Sequence, residues 1–581
     1  MKNQVAVLVC VVACLSVSEN RAADTITVYR AKKIVTMDPS FPTATAVAVR
    51  GDRIVAVGTM DTLKPWLDAF PHKEDTTFKN KVIFPGFIDP HLHPTLGASL
   101  LQMTILTQED WELPSGLVKG VKDRATYLAR LREAIDREGA RSDPFFTWGW
   151  NLYWHGQITR EDLDRIAPTR PVIVVQRSSH ERIVNTAALN LFKIGPEVDR
   201  EVPGLIDWKN GRFWEGGQAP LSRAMGRVLT NTDGLRKGLQ LVAELIHRGG
   251  VTTISDPGGA PTLDSPTWKL FRDVLDTDRT PFRTYLLPGT RGFDARPGEG
   301  VLGKFRLLNE ASTHRLIFKK AVKAFVDGAM FAQYMQLDEP GYIDGHHGEW
   351  LGAGEGLKAE ITPFWNAGFD IHVHVNGDKG LDVFLDALAQ LLEERPRPDL
   401  RYVAEHFGFS REDQITRLAR LGASISATGY YLWQLGDKWA EVGIGPERAD
   451  RMVRVGSAVR NGVKIALNSD QPMGPVKPLL AVWSHVTRKT QSGTVRGPEQ
   501  ALSLDQALRA VTVDAAWMLR MDHEIGSIAA GKKADFTVLE EDPYTVPIDH
   551  VKDIKVWGTV FEGTPYPVTT TRAVPSLADR R

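Results

Sequence analysis

The sequence predicts an α/β protein: a (β/α)8 TIM-type barrel with a small β-sandwich domain built from both chain ends and a large inserted cap region. Three patterns predict it. Short β-branched runs alternate with amphipathic helical stretches through the middle of the chain, the pattern of a parallel sheet. Their number favours a closed eight-stranded barrel over an open sheet. Two β-rich stretches bracket this middle, and the segment from about 96 to 235 is too long for a single barrel loop.

The chain begins with Lys2 and an apolar stretch from Val5 to Val17, too short to span a bilayer and followed by Ser18-Glu19-Asn20. It reads as a secretory signal over 1–23, which implies export to a periplasm or the exterior. A second reading makes Val11-Val12-Ala13-Cys14 a lipobox, with Cys14 carrying a lipid anchor. Cys10 and Cys14 are the only cysteines, so beyond this segment no disulfide and no thiolate metal site can form.

From Thr25 to Val49 apolar and polar residues alternate, and Arg50-Gly51-Asp52-Arg53 turns into Ile54-Val55-Ala56-Val57, a hairpin pattern. The other end repeats the β character in Gly531 to Leu539 and Ile554 to Phe561. Residues 24–84 and 518–568 are therefore assigned to the small domain, 85–517 to the barrel, and 569–581 to a loose tail. The 581 residues carry 71 Lys+Arg against 71 Asp+Glu, a net charge of zero that argues against nucleic acid as a partner. The partner expected is a small molecule, with no membrane span and the oligomeric state open.

Within the barrel, runs at Pro171–Val175, Val251–Ile254, Lys319–Val326, Ile371–Val375, Tyr402–Glu405, Ala423–Ser426 and Val463–Leu467 read as strands, with helices such as Leu235–His247 and Gly380–Glu394 between them. The run Lys81-Val82-Ile83-Phe84, closed by Pro85-Gly86, reads as a buried strand leading into Phe87-Ile88-Asp89-Pro90-His91-Leu92-His93. In an extended chain residues two apart share a face, so His91 and His93 can reach one metal ion. Barrel chemistry sits where strands meet the following loops. His374, His406 and Asp470 end later runs, and Lys323 lies just before Asp327-Gly328. Taken singly, a strand-end histidine is more often a hydrogen-bonded structural residue, and an aspartate before a loop a turn residue. All five features in one chain order are hard to obtain by accident.

These motifs resemble the amidohydrolase superfamily, in the branch typified by N-substituted formamide deformylase. The matching residues are Pro85 to Asp89 with His91 and His93; Val322-Lys323 with Asp327-Gly328; His374 with Gly377-Asp378; Glu405-His406; Ser469-Asp470 with Pro472; and Gly526 to Asp535. The resemblance implies a metal site of His91, His93, His374, His406 and Asp470, holding one or two divalent cations, zinc first. It further implies a carboxylated Lys323 bridging two metals, since a protonated lysine only donates. His372 forms a second same-face pair with His374; the spacing to Gly377-Asp378 favours His374 as ligand and leaves His372 either in the barrel interior or behind the ligands.

The implied reaction is hydrolysis of a carbon–nitrogen bond, amide or N-substituted formamide. Metal lowers the pKa of bound water from 15.7 to about 7; that hydroxide attacks, and Asp470 accepts the proton and returns it to the leaving nitrogen. His180, in Arg177-Ser178-Ser179-His180, is the cap residue expected to help hold the developing oxyanion, and Asn185 is expected to cap a helix. Trp148, Trp150, Tyr153, Trp154 and Trp214, with Tyr430, Tyr431 and Trp433, suggest an apolar or aromatic substrate group or, alternatively, simple core. His155, Glu215 and Asp256 are further pocket candidates, and His346-His347 is read as a mobile surface segment or a lid. Departures at Val375-Asn376 and at Ala427 to Tyr431 leave the substrate open. A deaminase or cyclic-amide hydrolase with the same site, and a non-catalytic binding or regulatory protein, stand as alternatives.

Overall fold

In a computed structural model, residues 25–139, 141–226, 232–291, 293 and 300–568 are described. The signal, Cys14 and tail assignments lie outside these residues. Among the described residues no helix is long and apolar enough to cross a membrane.

Both chain ends build one small sheet. Strands Ile26–Val35, Thr43–Arg50, Arg53–Gly58, His72–Asp75 and Val82–Pro85 join Phe536–Leu539, Val556–Phe561 and Thr564–Pro567. The Thr43–Arg50 and Arg53–Gly58 hairpin forms as expected, Arg50 opposite Arg53, with Gly51 at φ 61° in its turn. All eight strands belong to one hydrogen-bonded sheet. The reason is Val82–Pro85, which pairs in parallel with Lys33-Ile34 on one side and antiparallel with Phe536–Leu539 on the other. That apolar run therefore serves the small sheet and does not lead the barrel series.

The parallel series starts after Gly86, where a Cβ would lie 2.0 Å from the Thr252 hydroxyl oxygen. It runs Phe87–Asp89, Val251–Pro257 and Arg283–Leu287, then Ala321–Phe325, Asp370–Val375, Tyr402–His406, Ser424–Thr428 and Ile465–Asn468. Each neighbour pairs in parallel within these two groups. A Gly289–Lys323 bridge joins the groups, with Lys323 N–H donating to the Pro288 carbonyl at 2.9 Å. Last meets first where Asp470 N–H donates to the His91 carbonyl at 2.9 Å and the buried Asp89 carboxylate accepts from Ser469 N–H at 3.1 Å. Amphipathic helices including Thr232–Arg248, Asp378–Glu394 and Glu412–Leu421 pack between the strands, an α/β architecture of TIM-barrel type. Strand Arg283–Leu287 escaped the sequence reading, because its charged first residue and tyrosine hide the apolar run.

The long insert has its own six-stranded sheet, from Thr104–Ile105 and Phe145–Trp150 to Arg212–Trp214. Val172–Gln176 belongs to this sheet and not to the barrel series. Asn185 caps helix Thr186–Phe192 by accepting from Ala188 N–H at 2.9 Å, as expected.

Candidate metal centre

Strand ends deliver the candidate groups. The strand Phe87–Asp89 stops before the histidines, and His93, in extended backbone, is the residue before helix Pro94–Leu100. Their Nε2 atoms converge to 3.3 Å, and Asp470 Oδ1 lies 3.8 Å from His91 Nε2 and 3.5 Å from His93 Nε2. These three residues form a group able to hold a metal ion. His406 joins through Nδ1, 3.5 Å from Asp470 Oδ2, and its ring centroid is 4.3 Å from that of His374 and 4.7 Å from that of His91. All five are buried except His93, which is partly so.

Carboxylates behind the imidazoles set their orientation. Glu405 accepts from His91 Nδ1 with one oxygen and from His372 Nδ1 with the other, each at 2.6 Å. His372 therefore lies behind the centre, on the Glu405 oxygen that His91 leaves free. Asp256 takes His93 Nδ1 at 2.9 Å. A second nitrogen bonded to carboxylate fixes the ring and leaves Nε2 for a cation. Glu405 and His406 are consecutive, so simple strand alternation would send them to opposite faces. The left-handed φ of 74° at His406 breaks that alternation, and Asp470 has φ 48°; such backbone clusters at functional sites.

Electrostatics favour lone pairs over protons here. Burial, reinforced by the Lys323 charge, drives the His91 pKa down to about 3, and burial holds His374 and His406 well below the ordinary imidazole value. Burial also lowers His93, but its bond to Asp256 outweighs this and leaves it raised. Asp470 is pushed up to about 6 by burial against the pull of His93 and Lys323. Lys323 Nζ is buried with no hydrogen-bond partner among the described residues, and burial lowers it to about 8 despite Glu405. The donor set of imidazoles and carboxylate fits a divalent cation. Lys323 fits only as an uncharged or modified group.

His180 reaches the centre from the insert: its ring centroid is 6.3 Å from that of His374, and Glu215 takes its Nδ1 at 2.9 Å. Burial lowers its pKa, but Glu215 outweighs this and raises it. Arg177 of the same motif pairs with Glu109 and donates to the Pro472 and Met473 carbonyls at 3.1 and 2.7 Å, pinning the loop that follows Asp470. Asp327 accepts from the backbone N–H groups of Gln336, Asn376 and Gly377. A Cβ at Gly377 would sit 1.9 Å from the Gln336 carbonyl oxygen, so this close approach explains the glycine after His374.

Other candidates separate cleanly. His155 does not line the cavity beside the His180–Glu215 pair: it accepts from Asn151 N–H, bonds the Val121 carbonyl and stacks on Tyr127. His346 is neither loose nor a free lid, held by Asp344, the Gln333 carbonyl and the Tyr342 ring. Trp148 and Tyr430 are core, their polar tips bonded to the Arg177 and Lys477 carbonyls. The buried Tyr431 ring lies 6.4 Å from that of His406, at the centre itself. Trp150, Tyr153 and Trp214 line a cavity of about 280 Å³ beside the His180–Glu215 pair. The orienting roles of Glu405, Asp256 and Arg177 were not assigned from sequence; the one available signal was adjacency to residues already singled out.

A family model described as "Amidohydrolase family" matches residues 78–566. N-substituted formamide deformylase of Arthrobacter pascens is 27% identical over 561 residues, covering 91% of this chain and 96% of its own. Protein LONG AFTER FAR-RED 3 of Arabidopsis thaliana is 28% identical over 535 residues, covering 88% and 86%. Among solved structures, an uncharacterized metal-dependent hydrolase from Pyrococcus horikoshii superposes with TM-score 0.68 at 21% identity, covering 90% of this chain and 99% of that one.

Proposed function

The chain belongs to the amidohydrolase family, and on that premise we propose that it is an exported, metal-dependent hydrolase of a non-peptide carbon–nitrogen bond, of amide or N-substituted formamide type. The observation that carries this reading is the convergence of His91, His93 and Asp470, with two further imidazoles around them and a buried lysine that has no hydrogen-bond partner among the described residues. The eight parallel segments act as a closed barrel whose mouth this cluster occupies. Residues from about 96 to 235 act as its cap, and the small sheet forms a separate domain.

His91, His93, His374, His406 and Asp470 would hold one or two cations, zinc first. When bound, such a cation acidifies water and polarises a carbonyl. Lys323 is prepared for carboxylation: its ammonium, with a pKa of about 8, releases one proton to free the nitrogen lone pair, which attacks carbon dioxide, and a second N–H proton then leaves to solvent as the N–C bond forms a carbamate with two donor oxygens. Asp470 takes the proton of the attacking water and delivers it to the leaving nitrogen; its raised pKa suits a group that must both accept and donate. His180, its pKa raised by Glu215, stabilises negative charge growing on the carbonyl oxygen by donating a hydrogen bond.

The test is metal analysis joined to a panel of amides, formamides, cyclic amides, esters and lactones. We expect one or two divalent ions per chain, turnover of at least one amide, and loss of that turnover in His91→Ala. Activity that survives both chelation and His91→Ala contradicts the reading. The same site could serve deamination or cyclic-amide opening, which ammonia release, against formate or carboxylate release, distinguishes. Metal-loaded protein that binds small molecules but turns over none of the panel favours a binding or regulatory role.

A further inference from the structure

A second cavity, of about 310 Å³, opens where the strands Ala321–Phe325 and Asp370–Val375 begin, the ends away from His374 and His406. Lys319, Lys320, Asp370, His372 and Arg520 wall it, and aliphatic side chains complete it. The charges in these walls do not cancel. Asp370 is taken by Arg520, whose Nε and Nη2 donate to it at 2.6 and 2.8 Å, with Arg397 next at 3.8 Å. Neither lysine forms an ion pair among the described residues. Lys319 is half-buried; its Nζ has the Met521 sulfur at 3.6 Å and the Tyr285 ring centroid at 4.8 Å. Burial lowers its pKa, against the pull of the Asp370 charge. Lys320 is exposed, and its Nζ lies 5.6 Å from the Phe369 centroid.

His372 brings a group of another kind. It is 2% exposed, and its Nδ1 lies 2.6 Å from Glu405 Oε1. A carboxylate accepts, so Nδ1 donates, and in an uncharged imidazole Nε2 is then an acceptor. That Nε2 makes no hydrogen bond among the described residues, and its ring lines the cavity. Two ammonium groups call for negative charge, and a buried acceptor calls for a donor. A cation would meet Lys319, Lys320 and Arg520. An anion that only accepts would set a lone pair against Nε2. We propose that this cavity binds a small oxyanion that keeps an O–H, of the hydrogen-phosphate or bicarbonate kind. Its charge rests on Lys319 and Lys320, and its hydroxyl donates to His372 Nε2. This inference is independent of the hydrolase reading.

Calorimetry at pH 8 on the full-length, metal-loaded protein tests it with hydrogen phosphate, bicarbonate and sulfate. Hydrogen phosphate and sulfate share shape and charge and differ by one proton. Hydrogen phosphate is expected to bind about tenfold or more tighter, since sulfate leaves a buried acceptor without its donor. Bicarbonate identifies the source: tighter binding than hydrogen phosphate assigns the site to it, weaker binding to phosphate, and either supports the inference. Lys319→Met keeps the apolar stem and removes the charge, and should cost the preferred anion about tenfold. Lys320→Met, at an exposed position, should cost about threefold. Both should unfold at the wild-type temperature; if Lys319→Met does not fold, Lys320→Met carries the charge test. An anion held by the metal would be indifferent to both substitutions, and that result overturns the inference. His372→Asn keeps a side-chain N–H for Glu405 but offers the cavity no ring nitrogen. The preference for hydrogen phosphate over sulfate should then fall towards one, while binding still depends on the lysines. Equal affinity for the two anions in the wild type, or a preference that survives His372→Asn, also overturns it.

Discussion

Two regions of this molecule bury ionisable groups, and they do so in opposite ways. At the seam between the parallel strands and the small sheet, Arg283 is 2% exposed yet fully matched. It donates to Asp535 at 2.5 Å, to the Thr253 hydroxyl at 3.0 Å and to Glu562 at 3.2 Å, and lies over the Phe561 ring. Glu562 also takes Lys533 at 2.8 Å and His314 at 2.5 Å. At the ends of the parallel strands the groups converge on a point: three imidazoles whose pKa values burial lowers, an aspartate whose pKa burial raises, and a lysine whose Nζ has no hydrogen-bond partner among the described residues. Burial costs both regions the solvation of charge. The seam recovers it internally and contributes to stability, whereas the mouth is completed by something that binds.

The contrast breaks first at the mouth. His91→Ala should lower kcat/KM by about ten-thousandfold, roughly 5 kcal/mol of transition-state stabilisation, while the unfolding temperature of metal-free protein barely moves. A variant that unfolds but retains its turnover per folded molecule would invert the assignment. At the seam Arg283→Met leaves Asp535 buried and unpaired, so unfolding free energy should fall by about 3–5 kcal/mol in denaturant titration. The metal content of its folded fraction should be unchanged.

Smaller changes sharpen the comparison. Glu405→Gln removes a carboxylate that orients His91 without touching the ligand atom, and it should weaken metal affinity about 10–100-fold in competition with a chelator. The seam carries a pH signature. Burial raises the Glu562 pKa, but Lys533, Arg283 and His314 outweigh it and hold it at about 2 against an ordinary 4.5. A depressed carboxylate stabilises the fold above its unfolded pKa, and this contribution is lost as pH falls from about 4.5 towards about 2. Thermal unfolding followed over that range should show a slope that Glu562→Gln flattens; an equal slope in both proteins would dissociate Glu562 from the effect.

The two regions were not equally legible in the sequence. The mouth is local: each strand end carries its histidine, lysine or aspartate within a short apolar run, so His91, His93, Lys323, His374, His406 and Asp470 stood out before any fold was known. The seam joins Arg283 to residues some 250 positions away, and no local pattern announces such a pairing. For the same reason Asp256 and Glu405 were visible as residues but not as the carboxylates behind His93 and His91. That both chain ends share a small domain was legible from their β character; that Val82–Pro85 joins them by pairing on both edges was not, because its apolar composition alone does not reveal it. His155 misled because a buried histidine bonded to backbone looks, in sequence, like a pocket histidine.

The most direct test of the contrast is metal stoichiometry and affinity in the wild-type chain beside His91→Ala and Arg283→Met, each measured on folded, chelator-treated protein reloaded with zinc. Expected are one or two ions bound per chain in the wild type and in Arg283→Met, and a loss of at least one ion or of several decades in affinity in His91→Ala. Equal zinc binding by wild type and His91→Ala would contradict a metal centre at the barrel mouth.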